Sequence, residues 1–240
     1  MQRNLALPLA SAAAACSLLM SGALASTVSS TFDGGLDGWT TYANGGDASL
    51  VWEPTDGQSG GYLRDIDTTD EWGWLLAPAT YTNPLRTPDA GGSLSFYLRT
   101  FSGNDAPQYP VRIAISNGSL TLMAAGIPFP NDNSFNAYSF NFDASTAWHI
   151  VRNDLQQAFD STDPLASSAQ IADVLAGLTG LYIAADYNSS NVAVGGVDHT
   201  LLDTVALDVV IPNAAPEPVS AGLALAAMAG LLAQRRRRRG

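Results

Sequence analysis

The chain has 240 residues, of which 46% are hydrophobic, and a formal net charge of −11. This length and composition exclude a disordered acidic protein and fit one globular domain, or two at most. Residues 26–213 contain 21 acidic residues, five arginines and no lysine, a formal charge of −16 that repels nucleic acid and anionic lipid surfaces, so that neither is expected as a partner.

Residues 1–25 have the features of a signal peptide. Arg3 supplies a positive start, and a stretch rich in alanine and leucine follows from Leu5 to Leu24. Ala23-Leu24-Ala25 has the small-x-small pattern that signal peptidase cleaves, which leaves Ser26 as the first residue. The only cysteine, Cys16, lies in this segment, so the processed chain has no disulfide and no thiol chemistry. An exported protein is predicted.

Residues 26–211 are predicted to be one domain made mostly of short strands. Apolar residues alternate with polar ones, or run continuously, in the stretches 93–98, 111–115, 138–142, 181–185 and 202–210. Turn signals such as Asn44-Gly45 and Asn117-Gly118 separate these stretches. Many short strands at this spacing indicate an all-β fold, an antiparallel β-sandwich or jelly roll.

One segment breaks the strand pattern and predicts a short helix over residues 169–178. Ser167 and Ser168 are suited to cap a helix, and glycines follow at 177 and 180. Four apolar residues recur at helical spacing on one face: Ile171, Val174, Leu175 and Leu178. The helix is therefore expected to pack this face on the sandwich.

Trp72 and Trp74 are the candidate glycan-binding residues. They are two positions apart, so on a strand they share one face. Two indole rings on one face form a stacking platform for sugar rings. The alternative is that one or both belong to the core.

Asp65, Asp67 and Asp70 are the candidate metal ligands. Asp65 and Asp67 would project the same way from an extended chain and repel one another. A calcium ion would relieve this repulsion, because it binds several oxygen ligands at once. A solvated acidic loop beside Arg64 is the alternative. A structural calcium ion is the one cofactor that the sequence indicates.

No catalytic residue is assigned, and the chain is predicted not to be an enzyme. His199 lies near Asp203, but no Gly-x-Ser-x-Gly nucleophile motif accompanies it, and His149 has no metal-ligand partner at usable spacing. Two carboxylates could act on a glycosidic bond, but 21 acids produce such pairs by chance.

Residues 212–240 form a linker and a tail. Pro216, Glu217 and Pro218 precede fifteen small or apolar residues, Val219 to Ala233, and five arginines close the run at Arg239. A bilayer-spanning helix usually takes about 20 residues, and the arginines would hold this end in the cytoplasm. The tail therefore predicts a stop-transfer segment with the body outside and the arginine cluster inside, with a plain single-span anchor as the alternative.

The order Pro-Glu-Pro, apolar stretch and arginine cluster resembles the PEP-CTERM sorting signal. The resemblance implies a Gram-negative bacterium and an exosortase, a membrane enzyme that recognises Pro216, Glu217 and Pro218 and cuts near them. It also implies that membrane insertion of the tail is transient, with release from the membrane or transfer to the cell surface, often in species that make exopolysaccharide.

The body resembles the laminin B domain, also called laminin domain IV. The matching motifs are Trp74 to Pro78, Gly91-Gly92 leading into 93–98, Trp148, Val174-Leu175 leading into 181–187, and 202–208. The opening, Phe32 to Trp39, resembles that of many galactose-binding-like jelly rolls. These resemblances imply a β-sandwich with a structural or adhesive role in an extracellular matrix, and no catalytic residues.

The sequence therefore predicts an exported, non-catalytic surface or matrix protein with an adhesive or binding role in the exopolysaccharide layer. A carbohydrate-binding module with a defined glycan ligand is the alternative, and a glycan hydrolase is the third possibility.

The tail generates the first testable prediction. Exosortase cleavage near Pro216 to Pro218 would remove residues 235–239. Mass spectrometry of the exported protein, from a host that contains an exosortase, should therefore find no C-terminal arginines. Exported protein with an intact C-terminus would contradict the sorting signal.

The aspartate cluster generates the second testable prediction. An ion that binds only the folded state stabilises it once its concentration exceeds the dissociation constant. The unfolding midpoint should therefore rise between chelator and millimolar calcium. Identical midpoints in the two solutions would rule out the structural ion.

Overall fold

The computed structural model describes residues 24–43, 49–67, 72–87, 90–101, 109–128, 133–156, 160–187 and 198–211. All of these residues belong to one compact unit, Ala23–Pro212. The predicted sorting motif at Pro216, Glu217 and Pro218, the apolar stretch and the arginine cluster lie outside the described residues. Within the described ranges, no helix is long and apolar enough to cross a membrane.

Strands account for most of the described chain, and two short helices interrupt them. The strands are β1 Leu24–Ser30, β2 Thr40–Ala43, β3 Ser49–Glu53, β4 Tyr62–Asp67, β5 Gly73–Leu76, β6 Gly91–Phe101, β7 Pro110–Ser116, β8 Thr121–Pro128, β9 Asn136–Asn141, β10 Trp148–Val151, β11 Gly180–Ala184 and β12 Asp198–Ile211. The helices are α1 Ala79–Leu85, between β5 and β6, and α2 Ser168–Ala176, between β10 and β11.

The strands form two six-stranded antiparallel sheets, so the predicted antiparallel β-sandwich is confirmed. Sheet A has the order β3-β4-β12-β6-β9, and β1 pairs with β12 beside this path. Sheet B has the order β10-β8-β7-β11-β5-β2. Every recorded pairing within the two sheets is antiparallel.

The core lies between the two sheets, where the alternating strands place their apolar residues. In sheet A, Leu94 of β6 pairs with Leu207 of β12 and with Phe140 of β9, and all three are buried. In sheet B, Ile113 and Ile115 of β7 pair with Ile183 and Leu181 of β11, and all four are fully buried. The burial of these alternate positions supplies most of the driving force for folding.

Sheet B is also buried on its second face. Arg112 and Ala114 alternate with the core residues of β7, yet neither side chain is exposed. Leu155, between β10 and α2, is buried as well, and its carbonyl oxygen accepts a hydrogen bond from Trp74 Nε1 at 3.3 Å. The segment after β10 therefore lies against Trp74 and covers part of this face.

The predicted helix is confirmed as α2. Ser167 caps it, because its hydroxyl oxygen accepts from the backbone N–H of Gln170 while the Gln170 side chain bonds the backbone N–H of Ser167. The four predicted apolar residues, Ile171, Val174, Leu175 and Leu178, are all buried, although Leu178 lies just beyond the helix.

Helix α1 adds a second helix to the one that the sequence predicts. It has seven residues, contains Pro84 and has no side-chain cap at its N-terminus. Tyr81 and Leu85 bury this helix in the sandwich. Tyr81 Oη lies 2.9 Å from Ser30 Oγ and 3.1 Å from Val205 O, so tertiary contacts rather than local signals stabilise it.

The two ends of the described chain leave the sandwich side by side. Leu24 pairs with Ile211, so β1 begins where β12 ends. Leu24 and Ala25, the last residues of the predicted signal peptide, thus belong to β1. The other end of β12 lies beside sheet B, because Thr200 Oγ1 donates to Ala185 O at 2.5 Å.

The buried face of α2 generates a prediction about stability. Leu175→Asp should lower the free energy of unfolding by at least about 3 kcal/mol, because it removes a buried side chain and buries an unpaired charge. Ala172→Asp makes the same kind of change at an exposed position of the same helix and should cost less than about 1 kcal/mol. Urea unfolding measures both, and equal losses would contradict the docking of this face.

Candidate functional site

Aromatic residues from three segments surround Arg112 at one end of the sandwich. Trp72 precedes β5, Tyr109 precedes β7, and Tyr187 follows β11. Since β11 pairs antiparallel with both β5 and β7, the end of β11 lies beside the beginnings of the other two strands. The topology therefore brings these rings together.

The guanidinium group of Arg112 lies among four aromatic rings. Its central carbon is 4.6 Å from the ring centroid of Trp72, 5.1 Å from Tyr109, 5.7 Å from Trp74 and 5.8 Å from Tyr187. Trp72 and Tyr109 also touch, with centroids 5.1 Å apart. All four distances are within the range of cation–π attraction, about 6 Å, so the charge helps to hold the rings in place. We call Trp72, Tyr109 and Arg112 the ring–arginine cluster.

Arg112 makes few hydrogen bonds for a fully buried charge. Its Nη2 donates to the backbone oxygen of Asp186 at 2.5 Å, whereas Nε and Nη1 have no hydrogen-bond partner. Among the described residues, the ion pairs are Arg64 with Glu53 and Arg152 with Asp154, and neither involves Arg112.

Burial lowers the pKa of Arg112, and Tyr187, Asp186 and Tyr109 oppose this shift. The guanidinium nevertheless stays protonated, because arginine is not deprotonated in proteins. Its three N–H groups on Nε and Nη1 are therefore buried, charged donors without an acceptor. Such donors cost free energy unless a partner compensates them.

The exposed part of the cluster consists of Trp72 and Tyr109, which are both half-buried. Trp74 is 1% exposed and donates its N–H to Leu155, so it presents no ring face to a ligand and belongs to the core. Tyr187 is fully buried and donates its hydroxyl to Ala184 O at 2.6 Å, and burial raises its pKa. Of the two candidate tryptophans, only Trp72 therefore remains available for stacking.

The candidate metal ligands are only partly covered by the structure. The side chain of Asp65 lies on the inner face of sheet A and is 1% exposed, and its backbone pairs with Thr200 of β12. The backbone of Asp67 pairs with Asp198, and Asp70 lies outside the described residues. Over the part of the chain that the structure describes, no three His, Cys, Asp or Glu side chains group together in a way that could hold a metal ion. Calcium binding at Asp65, Asp67 and Asp70 stays a prediction.

The outer face of sheet A carries a second, looser group of aromatic and basic residues. The guanidinium carbon of Arg99 is 5.0 Å from the ring centroid of Phe135, which contacts Tyr62 at 5.9 Å. Arg99 is half-buried, and so is Tyr97 two positions earlier on β6. These residues resemble the ring–arginine cluster in chemistry but lie on the other sheet.

Sequence reasoning found Trp72 but missed Arg112 and Tyr109. One signal was available, since Arg112 is the one charged residue in the stretch 111–115. The alternation placed it opposite Val111 and Ile113, which on a half-buried strand is the solvent face. Its burial depends on contacts with Trp72, Tyr109 and Tyr187, which no local pattern encodes.

No protein-family model and no curated protein sequence matches the chain. Among solved structures, it is similar to a family 11 carbohydrate-binding module from Clostridium thermocellum in complex with a β-1,3-1,4-mixed-linked tetrasaccharide. The identity is 16% and the TM-score 0.42, over 76% of this chain and 94% of that one.

The L4b domain of human laminin alpha-2 is similar at 10% identity and a TM-score of 0.44, over 73% of this chain and 98% of that one. A lectin from Bauhinia forficata in complex with GalNAc is similar at 10% identity and a TM-score of 0.39, over 80% and 100%. The neighbours thus include the kind of domain that the sequence motifs resemble. TM-scores this low assign neither a ligand nor an activity, so the chain's own residues have to carry any functional conclusion.

Proposed function

We propose that this chain is an exported, non-catalytic surface or matrix protein that binds a glycan through the ring–arginine cluster. In this proposal signal peptidase removes residues 1–25 and an exosortase cuts near Pro216, so that the body acts in the exopolysaccharide layer of a Gram-negative bacterium. The sequence features of the two ends support the processing, and the geometry of the body supports the binding.

The half-exposed pair Trp72 and Tyr109 is the observation that carries the proposal. Aromatic rings offer large, rigid contact area, and the apolar face of a sugar ring can pack on it. Arg112 holds both rings from below through cation–π contacts of 4.6 and 5.1 Å. Rings that are already brought together before the ligand arrives lose less conformational entropy on binding, even where one ring has to turn. This preorganisation favours a defined glycan ligand over diffuse adhesion.

The position of the cluster also fits a surface protein. The predicted signal-peptide cleavage point lies in β1, where Leu24 pairs with Ile211 at one end of the sandwich. The ring–arginine cluster lies towards the opposite end, because Thr200 of β12 donates its hydroxyl to Ala185 O and the next residue, Asp186, accepts from Arg112. The fourteen residues of β12 connect the two ends, a length of about 40 Å at the usual strand rise. The cluster is therefore well separated from that cleavage point.

The proposal is tested with the exported, processed protein, which is purified and screened on a glycan array. Tyr109→Ala and Trp72→Ala should each weaken binding to the best glycan about tenfold or more, as expected for a central aromatic contact. Tyr97→Ala is the matched control, because it removes an equally half-buried tyrosine from sheet A and should leave affinity unchanged. Calorimetry with the selected glycan measures all three.

Two results would contradict the proposal. One is that no glycan binds, and the other is that the Tyr97 variant loses as much affinity as the Tyr109 variant. The second result would move the binding surface to the outer face of sheet A.

A further inference from the structure

Arg112 differs from the other described arginines in how its charge is compensated. Arg64 pairs with Glu53 at 2.6 Å and Arg152 pairs with Asp154. Arg86 donates from Nε to Leu178 O at 2.5 Å and is exposed. Nε of Arg64 and of Arg99 also has no hydrogen-bond partner, but among the described arginines only Arg112 is fully buried, bonded to one carbonyl oxygen and left with two such nitrogens.

A fully buried cation of this kind lowers the stability of the fold if it has no role other than a structural one. Replacing buried charged groups by apolar side chains of similar volume is often neutral or stabilising. The contacts with the four rings offset part of the cost, but cation–π attraction does not provide acceptors for the free N–H groups. A ligand that brings an oxygen anion would provide them.

We propose that Arg112 is the carboxylate-binding group of the ring–arginine cluster and that its ligand is a polysaccharide of uronic acids. This inference rests on the proposed glycan binding and adds the chemical class of the glycan. The sugar ring packs on Trp72, and its carboxylate accepts hydrogen bonds from Nε or Nη1 of Arg112. Charge-assisted hydrogen bonds of guanidinium to carboxylate are about twice as strong as neutral ones.

The carboxylate reaches Arg112 when the Trp72 ring turns aside. Arg112 is fully buried beneath Trp72 and Tyr109, so one of these rings has to rotate. Trp72 precedes the first residue of β5 and is half-buried, so no strand ladder fixes its backbone position. The rotated ring keeps its face available for the sugar.

The acidic body does not prevent this binding. Its 21 acids repel a polyanion at long range, but physiological salt screens exposed charges beyond about 8 Å. Contact with Arg112 takes place in a desolvated setting where screening is weak. Binding should therefore survive added salt, unlike the adsorption of polyanions to a basic surface, which salt abolishes.

The test compares an acidic polymer with its own neutral ester. Full-length chain is titrated with polygalacturonate and with fully methyl-esterified polygalacturonate, and with alginate and its propylene glycol ester. One acid form should bind at least about tenfold more tightly than its ester, because charge-assisted hydrogen bonds are strong. The affinity of that acid form should fall less than about threefold between 0.05 and 0.5 M NaCl, because salt screens a buried ion pair only weakly.

Variants then locate the preference. Arg112→Met keeps the length of the side chain and removes the charge, so it should abolish the preference for the acid while leaving the unfolding midpoint equal or higher. Arg99→Met is the matched control, because Arg99 also contacts one aromatic ring but lies half-buried on sheet A. It should keep the preference.

The outcomes separate this inference from the proposed function. Equal binding of acid and ester, or a preference that Arg112→Met leaves intact, would overturn the carboxylate assignment while glycan binding stands. Binding of no glycan at all would overturn both. If Arg112→Met does not fold, equal binding of acid and ester by the unaltered chain would still overturn the carboxylate assignment.

Discussion

β12 contains a bulge, and two strands, β4 and β1, pair with it one after the other along the same edge. β4 pairs with residues 198–202, β1 pairs with residues 205–211, and β6 runs along the other edge with its register shifted between Asp203 and Ala206. Thr204 adopts a positive φ of 45° at this point. The extra residue bends and twists the strand, as bulges do.

Asp203 of β12 stabilises the bulge by accepting hydrogen bonds from the loop between β3 and β4. The residue is fully buried, and its Oδ2 accepts hydrogen bonds from the backbone N–H groups of Gln58 at 2.5 Å and Ser59 at 3.2 Å. These donors compensate the buried carboxylate. β4 and β1 therefore pair with β12 on either side of the bulge, and the antiparallel pairing of β1 places Leu24 beside Ile211 at one end of the sandwich.

The sequence predicted the parts of this fold that local periodicity encodes. The strands at 93–98, 111–115 and 138–142 and the capped helix α2 follow from alternation, helical spacing and the Ser167 cap. Helix α1 could not be predicted this way, because it is short, uncapped and contains Pro84. Its position depends on Tyr81 meeting Ser30 and Val205, residues 51 and 124 positions away.

The candidate site was predictable only to the extent that it uses a pair of neighbouring tryptophans. Spacing indicated that Trp72 and Trp74 share a face, and both rings do lie against the same guanidinium group. Spacing could not show that Trp74 would be covered by Leu155, or that Tyr109 would take its place as the second exposed ring. Such contacts join segments that are distant in the sequence. Trp74 and Leu155 are 81 positions apart, and Arg112 and Asp186 are 74 positions apart.

The location of Arg112 gives a functional meaning to the scarcity of basic residues in the body. A chain with five arginines against 21 acids could compensate each arginine with a carboxylate, as it does for Arg64 and Arg152. At Arg112 it supplies aromatic faces and the backbone oxygen of Asp186, and the Asp186 carboxylate favours the charge without forming an ion pair with it among the described residues. A carboxylate in direct contact would have stabilised the buried charge further but would also have occupied its hydrogen-bond donors. Leaving the donors unoccupied sacrifices stability at this position and keeps them available to a ligand, a trade common at binding sites.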